Sequence, residues 1–445
     1  MAFRVFPAES NEHYNLVEGA LASCWILDND AQSAYARAKF FVSKYDWIIE
    51  KVDSFPAEVT KEMFLGKDIE LAQFNKAQEK GIAICYKAWA KDRKIAVGPI
   101  TLTPSCKFDL NGYLGKQKQL SKNGLCLHYE GSNKCQEIIN AHSIQKSQSL
   151  EAISENGHVY KISTDIGSLK KNRGSLIYEK CGINQASTFL GFCKKHDNEL
   201  FEPIDNFPLI PTDQQVILYG YRSLCRELFV KENALNLFEN QLHQMQDSYA
   251  VKELFQGLKT GTLFGLDNLR EHKLIYDNSL REKSYFDINY VLFISKQKPF
   301  IAFSGLFYPH FDFTGQQLQD LGDLENKLDL ITICTAPVNS GWGVLFSWHD
   351  SSSKVCNKFI QSLATIIHEG NNLGDFIFRM AISNCENLAI APTWWEKLPV
   401  CQKEQITARA TLMADTFSMI NPKYLTEGLE GIASWEFESV KDKMN

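Results

Sequence analysis

The chain contains no apolar run of the roughly 18 residues that a spanning helix requires, so neither a transmembrane segment nor a membrane partner is expected. It also lacks a strong excess of charge. Lys and Arg number 47 against 53 Asp and Glu, and a net charge of -6 excludes binding of a polyanion by overall charge alone. It has no disulfide framework, because its 12 cysteines are scattered through 445 residues without framework spacing. The opening Met-Ala-Phe-Arg-Val-Phe-Pro has no long apolar stretch, so the expectation is a cytoplasmic protein with reduced thiols. Cys24, Cys85, Cys225, Cys334, Cys356, Cys385 and Cys401 then read as small buried hydrophobes.

Several catalytic signatures are missing as well. There is no HExxH, nucleophile elbow, Walker sequence or CxxC pair. The glycines from Gly257 to Gly265 lack the GK[ST] ending of a phosphate loop. His310/Asp312, His349/Asp350 and His368/Glu369 could together build a metal or hydrolase site, though each alone reads as a turn or strand-end residue; Trp394 and Trp395 could stack a base or ligand but read first as packing residues.

What is present suggests a multidomain α+β chain, since its length exceeds one ordinary core. Residues 1–110 read as a helical N-terminal domain, with helical spacing from Leu16 through Trp25, over Ala31 to Val52 and over Asp68 to Ala90. "VGPITLTP" then reads as extended. Residues 111–210 form a Cys/His module rich in Gly, Ser, Asn and Lys, where large hydrophobes look too sparse for a conventional core. Residues 211–283 read as a connector of two long helices, a surface for a protein partner or self-association, although an apolar stripe through Ile217, Tyr221, Leu224 and Leu228 fits a core face. Residues 284–445 alternate short β-rich runs with helices over Lys354 to His368, Asn372 to Asn384 and Lys403 to Met419, which describes a C-terminal α+β domain.

The Cys/His module carries the most chemistry. Cys126 and Cys135 flank a turn containing Gly131, and Cys193 and His196 follow as C-x2-H. Thiolates with an imidazole suit a tetrahedral structural Zn²⁺ that would staple two distant stretches into a treble-clef-like module. His128, His142 and His158 compete for a place among the four ligands. From Gly115 to Asn198 the chain has 12 Lys/Arg against 7 Asp/Glu, a basic island in an acidic protein that fits either a phosphate-facing surface or a solvated face.

"AHSIQ" after a Cys pair, followed by "GFCKKHDNELFEPID", resembles the HNH nuclease pattern over about 85 residues. The resemblance implies a ββα fold with Cys126, Cys135, Cys193 and His196 on structural zinc. It implies His142 as general base, Asn156 as the central Asn and Asp197 as ligand of a catalytic Mg²⁺ or Mn²⁺. Asp197 stands where the family usually has His, and no Pro follows "AHSIQ", but carboxylate oxygen suits hard cations. The stretch between His142 and Cys193 is longer than a compact ββα unit needs. Lys170, Lys171, Arg173, Lys194 and Lys195 would hold backbone phosphates of DNA or RNA. The same stretches also resemble a widespread group of bacterial proteins.

Two functions follow. One is metal-dependent cleavage or recognition of nucleic acid, in defence against foreign DNA. The other is a non-catalytic interaction or sensor protein in which zinc only folds the module.

Overall fold

A computed structural model describes residues 1–28, 31–92, 97–102, 115–116, 119–120, 122–131, 135–163, 176–244, 249–323, 326–339, 341–370, 372–412 and 420–444. The fold is α+β, and the chain divides into two compact units. One comprises Met1–Gln117, Asp165–Ser175 and Leu235–Thr262; the other comprises Lys118–Thr164, Leu176–Ala234 and Leu263–Asn445. The second unit thus gathers residues from the Cys/His segment, the long helices and the C-terminal α+β segment.

The first unit corrects the expected helical N-terminal region. It contains β1 (Ala2–Pro7), β2 (Val17–Ile26), α1 (Ala31–Lys44), β3 (Trp47–Ser54), α2 (Asp68–Lys80), β4 (Ile82–Ala90) and β5 (Ile100–Leu102). The strands form an antiparallel sheet in the order β3-β1-β2-β4-β5, with both helices packed against it.

The expected helix over residues 68–90 stops at Gly81. Its φ of 85° closes the helix in the left-handed conformation, and its N–H bonds the Ala77 carbonyl. The apolar residues that follow enter β4, where the first five positions are all buried. A run buried without alternation has no period that separates helix from strand. The expected helix over residues 31–52 is divided in the same way, by Asp46 at φ 60°. Beyond it Trp47 stacks on Tyr86 in the core at 4.5 Å.

The second unit begins with β6 (Ile138–His142), β7 (His158–Ser163), β8 (Ile177–Gly182), β9 (Thr188–Cys193) and α3 (Lys194–Asp205). Two long helices follow, α4 (Asp213–Gln244) and α5 (Tyr249–Glu282), close to the expected connector; their residues 235–262 belong to the first unit. Then come β10 (Ile288–Ser295), β11 (Ile301–Phe307), β12 (Ile331–Val338), β13 (Gly341–His349), α6 (Ser353–His368), α7 (Leu373–Asn384), β14 (Leu388–Ile390), α8 (Pro392–Lys397), α9 (Val400–Leu412) and β15 (Ser439–Lys443). Eight strands form one antiparallel sheet in the order β15-β10-β13-β12-β11-β14-β7-β8.

Alternation in the strands gives this sheet two covered faces. Val291, Phe293, Ile331, Ile333, Val344 and Phe346 share a core with Phe359, Leu363 and Phe376 of α6 and α7. Each such side chain contributes roughly 1.5–3 kcal/mol on burial. Toward α4 and α5 the contacts are more polar: Ser223 and Ser304 hydroxyls lie 2.8 Å apart, and His272 Nε2 lies 2.8 Å from the Leu328 carbonyl.

The long stretch between β6 and β9 supplies the outer hairpin of this sheet, β7 and β8. Tyr160 pairs with Ile390, and Tyr178 packs on Trp395 at 4.7 Å. The expected shortage of core in residues 111–210 is corrected here, because Ile144, Leu150, Ile153 and Val159 are buried with Ala302, Ala389 and Ala391. Trp394 stacks on Phe300 at 4.5 Å, a packing role. Cys401 is exposed, unlike the other six cysteines read as buried.

A small polar knot sits inside this unit. Ser143, which follows His142, bonds Ser304 at 3.1 Å, and the Asn387 amide donates to both Ser143 Oγ and the Ser304 carbonyl at 3.2 Å. All are buried, and removing Ser304 Oγ takes one hydrogen bond from Ser143, which keeps the Asn387 amide, and one from Ser223, which keeps the Tyr219 carbonyl. Ser304→Ala should cost about 1–3 kcal/mol in urea unfolding; an unchanged midpoint would show that the knot contributes nothing.

His272 gives a pH prediction. Burial pushes its pKa down to about 4, against the smaller opposing effect of the bond to the Leu328 carbonyl. A lowered folded-state pKa means its contribution is complete above the unfolded value near 6.5 and declines as pH falls toward 4. His272→Gln should therefore flatten the stability profile between those pH values, measured by chemical unfolding across the range.

Candidate functional site

The site is built on β6, β9 and α3. The two strands pair antiparallel, with Ile138 opposite Cys193 and His142 opposite Thr188. A register irregularity lies between Ile139 and Ala141. Cys193 ends β9 and caps α3, so His196 falls in the first helical turn, one turn from the thiol. The segment carrying Cys126 lies along β9, with the Leu125 and Leu127 N–H groups donating to Leu190 and Gly191 carbonyls at 3.0 and 2.8 Å. Gly131 closes the turn after Cys126, where a Cβ would lie 2.3 Å from the Cys126 carbonyl oxygen.

This arrangement brings together donor atoms of Cys126, Cys135, Cys193 and His196, all within 4.8 Å of one another. His196 Nδ1 lies 3.3 Å from Cys126 Sγ and 3.6 Å from Cys135 Sγ. Tetrahedral zinc with ordinary bond lengths separates an S and an N ligand by about 3.5 Å, so the donor set fits a metal ion such as Zn²⁺. Burial pushes the Cys126 thiol up to about 11; backbone hydrogen bonds from Cys193 and His128 oppose the rise, and the neighbouring Cys193 sulfur adds a smaller push upward. A cation would offset the repulsion among clustered thiolates.

Among the alternative imidazoles, His142 and His158 lie outside this cluster. His128 stacks on His196 at 4.1 Å with 10° between the rings, and its Nδ1 accepts the Glu130 N–H at 3.0 Å. His128, Glu130 and His196 form the other grouping of potential ligands among the described residues. Imidazole lone pairs lie in the ring plane, so parallel stacked rings cannot both direct them at one ion. The thiolate cluster is the better metal centre.

A separate cavity of about 300 Å³ is lined by both His142 and Asp197, together with Gln145, Lys146, Asp205 and Arg222. The His142 Nε2–H donates to the Ile183 carbonyl at 3.0 Å, which leaves Nδ1 as the acceptor nitrogen. Burial lowers the pKa of His142, favouring the neutral ring. Asp197 Oδ1 is buried without a hydrogen-bond partner. Burial raises the Asp197 pKa, Arg222 opposes the rise and Asp205 adds to it. Arg222 grips Asp205 through both terminal nitrogens at 2.7 and 2.6 Å and covers the Phe201 ring at 4.0 Å.

The remaining expected residues lie elsewhere. Asn156 is exposed in the turn before β7, at φ 50°, and does not line the His142 cavity. Lys194 pairs with Glu137 at 3.0 Å, and Lys195 lines a different cavity of about 250 Å³ beside His128 and His196. Lys170, Lys171 and Arg173 lie outside the described residues. The C-terminal His/acid groups are local: Asp312 Oδ1 accepts three bonds from Thr314 and Gln316, and His349 caps the turn at Ser351. Sequence reasoning missed Gln145 and Arg222. Gln145 stands within the quoted "AHSIQ", but Arg222 lies in an ordinary amphipathic helix with no motif around it.

Cys193→Ser should reduce bound zinc from about one ion per chain to well below one, measured by elemental analysis after dialysis, whereas His158→Ala should leave it unchanged. No family model matches the chain, nor does any curated protein or solved structure.

Proposed function

We propose that the second unit is a zinc-stabilised nucleic-acid hydrolase of HNH-like type, cleaving phosphodiester bonds with Mg²⁺ or Mn²⁺. The observation that carries this reading is the pairing of His142 and Asp197 in one cavity, separate from the thiolate cluster, on two antiparallel strands and a helix. Zinc would serve as the staple between the Cys126–Cys135 turn and the start of α3. Asp197 would hold the second cation, which when bound would offset charge on the phosphate and stabilise the departing oxygen.

The chain's own residues supply the rest. His142, neutral and tethered through Nε2, takes a proton from water at Nδ1. The hydroxide attacks phosphorus, the bond to the leaving oxygen breaks, and that oxygen takes a proton from solvent. Lys146 and Arg222 supply positive charge to the same cavity. The substrate is DNA or RNA; an invading DNA is the target to test first.

Plasmid nicking in the presence of Mg²⁺ or Mn²⁺ tests the reading. His142→Ala should slow cleavage by about 10²–10⁴-fold, and Asp197→Asn should remove the metal dependence along with the activity. Cleavage that persists in both variants would overturn the assignment of this site, and absence of cleavage by the native chain with either metal on DNA and RNA would favour the non-catalytic interaction protein.

A further inference from the structure

The cavity beside His142 contains an imbalance of hydrogen-bonding groups. Gln145 is only 4% exposed. Its Nε2 donates to the Asp205 carbonyl at 2.6 Å. That bond fixes the amide orientation, because the reverse placement would set two acceptor oxygens against each other. Gln145 Oε1 is thereby turned away from Asp205, and it is buried without a partner. Asp197 Oδ1, on the facing helix, is likewise buried without a partner. Both side chains line the same cavity.

A buried acceptor left without a donor costs about 1–3 kcal/mol, and both of these are hard oxygens on residues that line one cavity. Nearby groups do not satisfy them. Both Asp205 oxygens are occupied by Arg222. Arg222 Nε has no partner itself, so it bonds neither oxygen. Three buried polar atoms on residues of one cavity thus stand without partners: two oxygens, of the kind that suits a cation, and one N–H, of the kind that suits an anion.

We propose that Gln145 Oε1 and Asp197 Oδ1 are the protein ligands of a hard divalent cation, Mg²⁺ or Mn²⁺, with water and substrate phosphate completing its shell. An amide oxygen and a carboxylate suit these ions, which retain several waters and take few protein ligands. The proposal deepens the hydrolase reading and rests on it for the cation's purpose, while assigning Gln145 a role that the HNH resemblance does not supply. A second function for Gln145, holding the end of α3 through its Nε2, is retained.

The test is direct Mn²⁺ binding to the full zinc-loaded chain, by titration calorimetry and the loss of the free-ion EPR signal, without nucleic acid. Gln145→Met should weaken binding about tenfold and Gln145→Glu should tighten it, since affinity follows ligand charge. Asp197→Asn should weaken it further than Gln145→Met. Zinc content and the unfolding midpoint of each variant identify loss of folding.

Opposite shifts for Met and Glu separate a ligand from a merely structural glutamine, which would give no such reversal. Equal Mn²⁺ affinity in the native chain and both Gln145 variants overturns the proposal, as does absence of Mn²⁺ binding by the native chain. Nicking that persists while Gln145 variants bind Mn²⁺ normally leaves the hydrolase reading standing and removes only this ligand assignment. Mn²⁺ binding with the expected shifts but no nicking does the reverse.

Discussion

The position of the candidate site depends on a buried knot of hydroxyls and one amide. Ser143 directly follows His142, and its hydroxyl is held by Ser304 of the large sheet and by Asn387 before β14. Ser304 also reaches Ser223 on α4. Three separate elements therefore meet at the end of the strand that presents the imidazole. Inside a protein such bonds are electrostatically stronger than in water, and leaving one unmade is costly. The imidazole is consequently placed by the packing of the larger unit, not by the two-stranded sheet in which it lies.

Helix α4 distributes this support to both candidate metal regions. The Tyr221 hydroxyl sits between the Leu127 carbonyl beside Cys126, at 2.8 Å, and the Asp277 carboxylate, at 2.7 Å, while Arg222 next to it clamps Asp205 at the far end of α3. The two regions differ in chemistry. Sulfur and imidazole gather around the first, and residues bearing carboxylate, amide, imidazole and cationic groups line the second. Ligand softness alone would sort a thiophilic ion from an oxygen-seeking one.

Some of this was legible in the sequence. Three thiols and an imidazole are rare enough in combination that their spacing pointed to Cys126, Cys135, Cys193 and His196 as one candidate ligand set. The two long helices and the α+β texture after residue 284 were also readable, because each has a sustained period or a run of β-branched residues. The N-terminal sheet was not. Its strands are rich in Ala, Cys and aromatics, and β4 begins as a continuous buried run, so helical spacing fitted as well as extended spacing until Gly81 and Asp46 were recognised as stops. Arg222 was unreadable for a different reason: its partner, Asp205, is distant in the chain and the pair exists only after α3 packs on α4.

The hairpin between β6 and β9 has a consequence for how this chemistry could be transferred. A fragment covering residues 124–207 carries every candidate zinc donor, the imidazole and the carboxylate. It would nevertheless release β7 and β8 from the sheet they join, expose Ile144, Ile153 and Val159 where Ala302 and Ala389 now cover them, and leave the Asp205 carboxylate without its guanidinium. In this chain the module is woven through its neighbour at both ends and in the middle, so it is an inseparable part of a larger domain and not a cassette that can be moved between proteins.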